Sequence, residues 1–403
     1  MRTFGAVTGI DCNLDTVDSS MPAIHLPKRL AVQGKARVDR APTLDFTSSL
    51  YLGAEHSWQS LTEWESLTLG KPAALESVPG TRRVERELAA LTGCERVLLG
   101  PSTLHLFWDL FGFLARRGMS IFLDAGSYPI AQWGVERAAS YGAPVRVFPQ
   151  HDQRALGSLL KNAAGKPVVV ADGYSPLRGS SAPVAAYLEC VKHMGGLVVL
   201  DDTQALGIFG RSQSKEQPYG NEGGGSLRRA GVRDDQVVLV SSLAKGFGAP
   251  LAMLGGSEAV TAAFEFEGET RMHCSPPSAA VVAAAGHALA VNRRYGEALR
   301  RQLVQRVAHF RLRLRDLNVI ATGGLFPVQP LRLPEDIDVG GLHEALLAAG
   351  LQTVLHRSTN GADWRISFII TTKHSAGDID WAVASLADAM VRASRRTNRV
   401  KRF

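Results

Sequence analysis

The sequence predicts an α/β fold, a mostly parallel sheet with helices on both faces, followed by a smaller α+β C-terminal domain. Three observations carry that expectation. The runs Leu197-Val198-Val199-Leu200 and Val237-Val238-Leu239-Val240 are apolar throughout, as strands covered on both faces require. Stretches with helical spacing of apolar residues separate such runs, which is how crossover helices join parallel strands. Toward the C-terminus a long alanine- and arginine-rich helical stretch leads into strands and helices in mixed order. At 403 residues the chain exceeds a single core. We expect an N-terminal arm over residues 1–48, a large α/β domain over 49–290, and a small α+β domain over 291–403 that ends in a basic tail.

Taken in order, residues 1 to about 44 hold Pro22, Pro27 and Pro42 among scattered charges and read as an extended arm. Asp45 to Gly53 predicts a short strand and a turn. Val84, Leu88 and Leu91 recur at helical spacing between Pro79 and Gly93, and Gly93 is placed to end that helix. Arg96 to Leu99 predicts a strand, followed by a turn at Gly100 and Pro101 and an apolar helix to about Leu114. The start of that helix offers free N–H groups and two hydroxyls, Ser102 and Thr103, which suit either an ordinary N-cap or a phosphate cup.

Further strands are expected at Ser120–Leu123, Pro144–Phe148 and Val168–Ala171, with a helix through Gly134 and another from Ala182 to Met194, whose inner stripe is Val184, Leu188 and Val191. Residues 211–229, with Gly223-Gly224-Gly225, read as a mobile surface loop. The long helical pattern runs from Ser278 to about Leu317. Strands at Pro327–Leu333 and Trp364–Ile370 and helices at Leu342–Ala349 and from Asp378 to about Arg392 complete the C-terminal part.

Chemistry concentrates at two strand ends. The Leu197 run closes on Asp201 and Asp202 at its carboxyl edge, where parallel sheets place ligands. The Val237 run stops at Ser241 and Ser242 and then presents one lysine, Lys245, among Ala244, Gly246 and Gly248. A pocketed amine facing a strand-end carboxylate points to pyridoxal 5'-phosphate, whose carbonyl forms a Schiff base with lysine while an aspartate keeps the ring nitrogen protonated.

Composition narrows the rest. The net charge is +7, but Arg392, Arg395, Arg396, Arg399, Lys401 and Arg402 carry six of those charges, so the body is nearly neutral and no nucleic-acid partner is expected. Cys12, Cys94, Cys190 and Cys274 lie far apart without metal-ligand spacing, which fits reduced thiols, no metal site and a cytoplasmic setting. No run approaches the length of a membrane span and no signal pattern opens the chain, so no membrane partner is expected either.

The motifs Asp-Asp-x-x-x-x-Gly after a buried strand, Ser-x-x-Lys-Gly-Phe-Gly some forty residues later and Trp-Arg-Ile-Ser near the C-terminus resemble those of the fold-type I pyridoxal-phosphate enzymes. Within that group the chain is most similar to the α-oxoamine synthases of the class I/II aminotransferase superfamily. The resemblance extends over about residues 45–390, and Phe46 to Gly53 looks like the family's Phe-Ser-Ser-Asn-Asp-Tyr-Leu-Gly. It implies a transferase that condenses an amino acid with an acyl thioester, carried on coenzyme A or a carrier protein, usually with decarboxylation, in a homodimer with shared active sites. An aminotransferase or another α-carbon reaction is the alternative, and a non-catalytic cofactor-binding subunit a more distant one.

By the same resemblance, Lys245 is the Schiff-base lysine and α-proton base, and Asp201 the partner of the ring nitrogen. Ser102, Thr103, Leu104 and Ser242 cradle the phosphate, with Ser275 a further candidate across a dimer interface. Arg365 matches the carboxylate-binding arginine, whose planar fork suits an amino acid. Three positions depart from the family. The histidine that stacks on the cofactor ring is replaced by Tyr128, which can stack but, as a phenol ionising near about pH 10, is a poor proton shuttle. The histidine three residues after the aspartate is Gln204, able to donate a hydrogen bond but not to titrate. The substrate-holding asparagine is Ser49, and the Ser-Met-Asp-Gly segment becomes Ser175-Pro176-Leu177-Arg178-Gly179. The cofactor side is kept while the substrate side is altered.

Overall fold

The computed structural model describes residues 43–357 and 363–400, with side chains described as far as Ala393. The expected arm, apart from its last few residues, lies outside these, as do residues 401–403 and the side chains of the basic tail beyond Ala393. Seven strands form the central sheet in the order Arg96–Gly100, Ala252–Gly256, Val237–Ser242, Leu197–Asp201, Pro167–Asp172, Ser120–Asp124 and Val145–Phe148. All neighbours pair in parallel except Ala252–Gly256, which runs antiparallel to both of its partners. That strand is absent from the sequence expectation, because a five-residue segment ending in two glycines has too little β-branched character to announce itself.

The period of two along each strand divides the side chains between two cores. Val169, Ala171, Val198, Leu200 and Leu239 face one side, under the helices Thr81–Thr92 and Val184–Lys192. Val168, Val170, Val199, Val238 and Val240 face the other, under Thr103–Arg116 and Pro129–Ser140. Both faces are therefore dry, and the polar groups of the sheet are left to its ends.

The helix Ala279–Arg315 has 37 residues and so spans about 55 Å. Its first turns bury Val282, Ala285 and Leu289 in the first of these cores, and its last turns bury Leu303, Val307, Phe310 and Leu314 in a third. That third core lies under a four-stranded antiparallel sheet, ordered Ile320–Ala321, Val328–Arg332, Trp364–Ile369 and Val354–Arg357.

The segment expected as a short strand and a turn begins with Leu44–Asp45, which pairs in parallel with Leu351–Gln352. The partner strand is two residues long, so the chain turns at once, with the Gly53 N–H bonded to the Leu50 carbonyl at 2.8 Å and Gly53 at φ +64°. Phe46, fully buried, stacks on His374 and meets Phe368 edge-on, which ties this segment to the third core. A segment that differs from expectation is the surface loop 211–229. Tyr219 and the stretch from Gly223 to Leu227 are buried, and Ser226–Ala230 is a short helix. The glycines serve close approach: a Cβ on Gly225 would fall 1.9 Å from Asp202 Oδ2.

Candidate active site

Asp172 and Asp201 end neighbouring parallel strands and are register partners. Asp201 is 6% exposed, and its Oδ1 accepts the Thr203 N–H at 3.0 Å. Burial raises the pKa of both acids; for Asp172 the charge of Asp201 adds to the rise, while Lys245 pulls both back. The Lys245 amine is in turn pushed down by burial and pulled up by Asp201 and Asp172. One cation therefore sits among two crowded carboxylates, an arrangement short of positive charge.

Lys245 rides on a tight turn after Val237–Ser242, closed by the Phe247 and Ala249 N–H groups bonding the Leu243 carbonyl. The turn lies against residues 206–207 so closely that a Cβ on Gly246 would meet the Leu206 carbonyl oxygen at 2.5 Å. Gly207, at φ +87°, supplies the matching recess. Thr203, which sequence reasoning passed over, joins the two strand ends, since its Oγ1 accepts the Ser242 N–H at 3.0 Å. The Ser242 hydroxyl takes the Ala244 N–H at 3.2 Å.

Tyr128 precedes the helix Pro129–Ser140 and is about half exposed; its ring centroid is 5.9 Å from Lys245 Nζ. Its backbone N–H donates to Asp172 Oδ1 at 2.9 Å, so Asp172 fixes the start of the segment that carries the ring. Asp172 was not singled out in the sequence. The signal was there, an acid at the carboxyl end of the Val168–Ala171 run, in the same position that drew attention to Asp201.

Gln204 accepts the Tyr51 hydroxyl on Oε1 at 2.6 Å, which leaves its NH2 group as the free donor. Tyr51 is also the link to the C-terminal sheet: Thr372 N–H bonds its carbonyl at 3.0 Å, and Ile369 N–H bonds the Phe46 carbonyl at 2.8 Å. Ser49 lies in the same turn, and Arg365 lies on Trp364–Ile369, opposite His356. No described contact joins Ser49 or Arg365 to the Lys245 and Asp201 pair. Arg365 has no hydrogen bond or ion pair among the described residues.

Ser102 is the N-cap of the helix Thr103–Arg116, yet its hydroxyl bonds His105 Nδ1 at 2.8 Å rather than capping the backbone. The N–H groups of Thr103, Leu104 and His105 have no partner among the described residues; the first to be used is that of Leu106. Ser275 is exposed and lines a small cleft with Gly100, Pro101 and His105 at this helix start.

This donor set fits pyridoxal phosphate. Unpaired N–H groups at a helix start suit a phosphate dianion, the carboxylates Asp172 and Asp201 suit a protonated ring nitrogen, and Lys245 offers the amine. Among the described residues no group of three or more His, Cys, Asp or Glu side chains could hold a metal ion.

Residues 44–358 match the model of the family described as aminotransferase class I and II. The chain belongs to that family. Family members similar to it include the 8-amino-7-oxononanoate synthase of Alcanivorax borkumensis, 28% identical over 76% of each chain. That of Sodalis glossinidius is 27% identical over 86% of this chain and 88% of its own. Among solved structures, a Sphingomonas wittichii serine palmitoyltransferase superposes with a TM-score of 0.73 at 20% identity, covering 87% of both chains. The 8-amino-7-oxononanoate synthase of Francisella tularensis does so with a TM-score of 0.64 at 16% identity, over 87% of this chain and 98% of its own. At those identities the structures establish the fold, that of the fold-type I pyridoxal-phosphate transferases.

Proposed function

We propose that this family member is a pyridoxal-phosphate-dependent acyltransferase that condenses an amino acid with an acyl thioester and releases carbon dioxide and the free thiol. The observation that carries the reading is the partly buried Lys245 amine held in the field of Asp201 and Asp172. The names of the relatives, 8-amino-7-oxononanoate synthase and serine palmitoyltransferase, support the same chemistry.

When bound, the cofactor supplies an electron sink for charge developing at the amino acid's α-carbon. Lys245 would hold the cofactor through Nζ, and the same amine would serve as the base for the α-proton; the lowered pKa leaves more of it neutral and able to do so. Asp201 holds the ring nitrogen protonated, and burial strengthens that interaction by excluding water. Asp172 fixes Tyr128 through its backbone N–H, and Tyr128 would stack on the cofactor ring. Gln204, its carbonyl engaged by Tyr51, donates to the cofactor through NH2. Ser102, Thr103, Leu104 and Ser242 hold the phosphate, with Ser275 added across a homodimer interface. Arg365 receives the substrate carboxylate, and Ser49 helps hold the substrate. The acyl donor is a thioester of coenzyme A or a carrier protein.

We place the enzyme in the cytoplasm as a homodimer. Cys94, Cys190 and Cys274 are free thiols, and no helix among the described residues is long and apolar enough to cross a membrane.

A second reading, amino-group transfer or another α-carbon reaction, is favoured by one feature: Tyr128 and Gln204 stand where the α-oxoamine synthases carry histidines. One experiment separates the two. The cofactor-loaded protein is incubated with a panel of amino acids and acyl thioesters while free thiol and carbon dioxide are followed. Condensation releases thiol only when both substrates are present; amino-group transfer to a keto acid without thiol release rejects the proposal.

A further inference from the structure

Two histidines meet beside the lysine turn. His56 Nδ1 lies 2.8 Å from His287 Nδ1, and His56 Nε2 lies 2.7 Å from the Phe247 carbonyl oxygen. The rings stand perpendicular, with centroids 5.1 Å apart. His56 follows the turn at Gly53, His287 belongs to the helix Ala279–Arg315, and Phe247 is two residues beyond Lys245. Neither histidine was singled out in the sequence.

The two bonds fix where the protons are. A carbonyl oxygen only accepts, so His56 Nε2 carries a hydrogen. With both rings neutral, His56 Nδ1 is then a bare acceptor, and His287 Nδ1 must be the donor. Burial and the neighbouring imidazole both lower the His287 pKa, which favours that neutral state. The hydrogen bonds therefore run one way, from His287 to His56 and from His56 to Phe247.

What they fasten is the segment that carries Lys245. The Phe247 carbonyl takes no backbone N–H among the described residues, and Phe247 is 2% exposed, so His56 is what satisfies that oxygen. Ala54 grips the same turn, since its carbonyl oxygen would lie 2.5 Å from a Cβ on Gly248. Behind His56, the helix that bears His287 is anchored on both sides of it, with Ala284, Ala285, Ala288 and Leu289 buried in the first core. The backbone around the lysine is thus tied by side chains to a long packed helix as well as by its own turn.

We propose that His56, held in one tautomer by His287, is a positioning residue for Lys245, fixing the turn that presents Nζ to the cofactor. The inference rests on the reading that Lys245 carries pyridoxal phosphate. An imine needs its amine held in place, so a bond lost two residues away reaches it through the backbone.

The test compares the wild type, His56→Ala, His56→Gln and His287→Ala, each saturated with cofactor and then followed for the rate at which the cofactor leaves on dilution. Release should be about tenfold faster in His56→Ala, which leaves the Phe247 oxygen without its donor. His56→Gln, whose amide nitrogen can reach where Nε2 lies, should recover most of the loss, and His287→Ala should fall between. In a Lys245→Ala background, where no imine forms, His56→Ala should change release by less than about twofold. Nitrogen-15 shifts of the histidine side chains in the loaded wild type at about pH 8, where an imidazole is ordinarily neutral, should show His56 protonated at Nε2 and His287 at Nδ1. Should His56→Ala not fold, His287→Ala and the nitrogen shifts carry the test. Equal release from the wild type and the alanine variants, release from His56→Gln as fast as from His56→Ala, the same acceleration without Lys245, or His56 protonated at Nδ1 alone each overturns the proposal. Borohydride trapping on Lys245 of the wild type tests the reading beneath it: absence of trapping removes that reading and the proposal together, whereas trapping with equal release removes the proposal alone.

Discussion

Replacing Asp202 by asparagine probes how tightly the floor of the site is sealed. Asp202 is fully buried, and burial pushes its carboxyl up to about 7, against the hydrogen bonding from Ser226 that lowers it and with the charge of Asp201 that raises it further. An acid whose pKa is higher in the folded than in the unfolded chain binds its proton more readily when native. Its contribution to stability is therefore complete below the unfolded value and is lost as pH rises through the folded value. With 3.8 for the unfolded chain and about 7 for the folded one, linkage gives a loss of about 2.5 kcal/mol between about pH 5 and about pH 8. The amide that replaces the acid has no proton to lose, and its side-chain carbonyl can still accept the Ser226 N–H. Urea unfolding of both proteins, saturated with cofactor, at the two pH values should show a pH-dependent loss smaller by about that amount in Asp202→Asn. Equal pH dependence in the two proteins refutes the assignment of a raised pKa to this group.

Three further outcomes follow from the site. Lys245→Ala should abolish borohydride trapping of the cofactor on the chain and lower condensation by at least about a hundredfold, the lower end of what a positioned base contributes; trapping at another lysine, seen by peptide mass, would contradict the role. Gly246→Ala should displace the lysine turn, because its Cβ would meet the Leu206 carbonyl oxygen at 2.5 Å; a destabilisation of about 1–3 kcal/mol with weakened cofactor retention is expected, and unchanged retention argues against a tight turn. Arg365→Ala should raise KM for the amino acid about tenfold or more with a smaller effect on kcat, with partial recovery in Arg365→Lys, since lysine keeps the charge but not the fork; a pure kcat effect would place the arginine elsewhere.

The parts of the fold legible in the sequence are those whose residues have one dominant task. Val168–Ala171, Leu197–Leu200 and Val237–Val240 face cores on both sides, so apolarity alone marks them. The helix Ala279–Arg315 has to bury one stripe in two cores, and its periodicity survives for its whole length. Ala252–Gly256 was illegible because Gly255 is needed for room rather than propensity: a Cβ there would meet Cys94 Sγ at 2.8 Å. The helices Gln153–Leu160 and Glu258–Glu267 went unread as well, being short segments whose boundaries only their caps reveal, Asp152 and Ser257 accepting first-turn N–H groups. The same reasoning explains the site. Asp201 and Lys245 were found because each interrupts an apolar run, whereas Asp172 interrupts one equally and was missed for want of a motif around it.

Gly223 to Gly225 reverses the usual inference from glycine to mobility. These residues are buried, and the Asp202 carboxylate holds the Ser226 N–H just beyond them, so the loop is fastened to the strand end that bears Asp201. A glycine-rich segment pinned by a buried acid places Ser226 and Arg229 as rigidly as the sheet places Lys245.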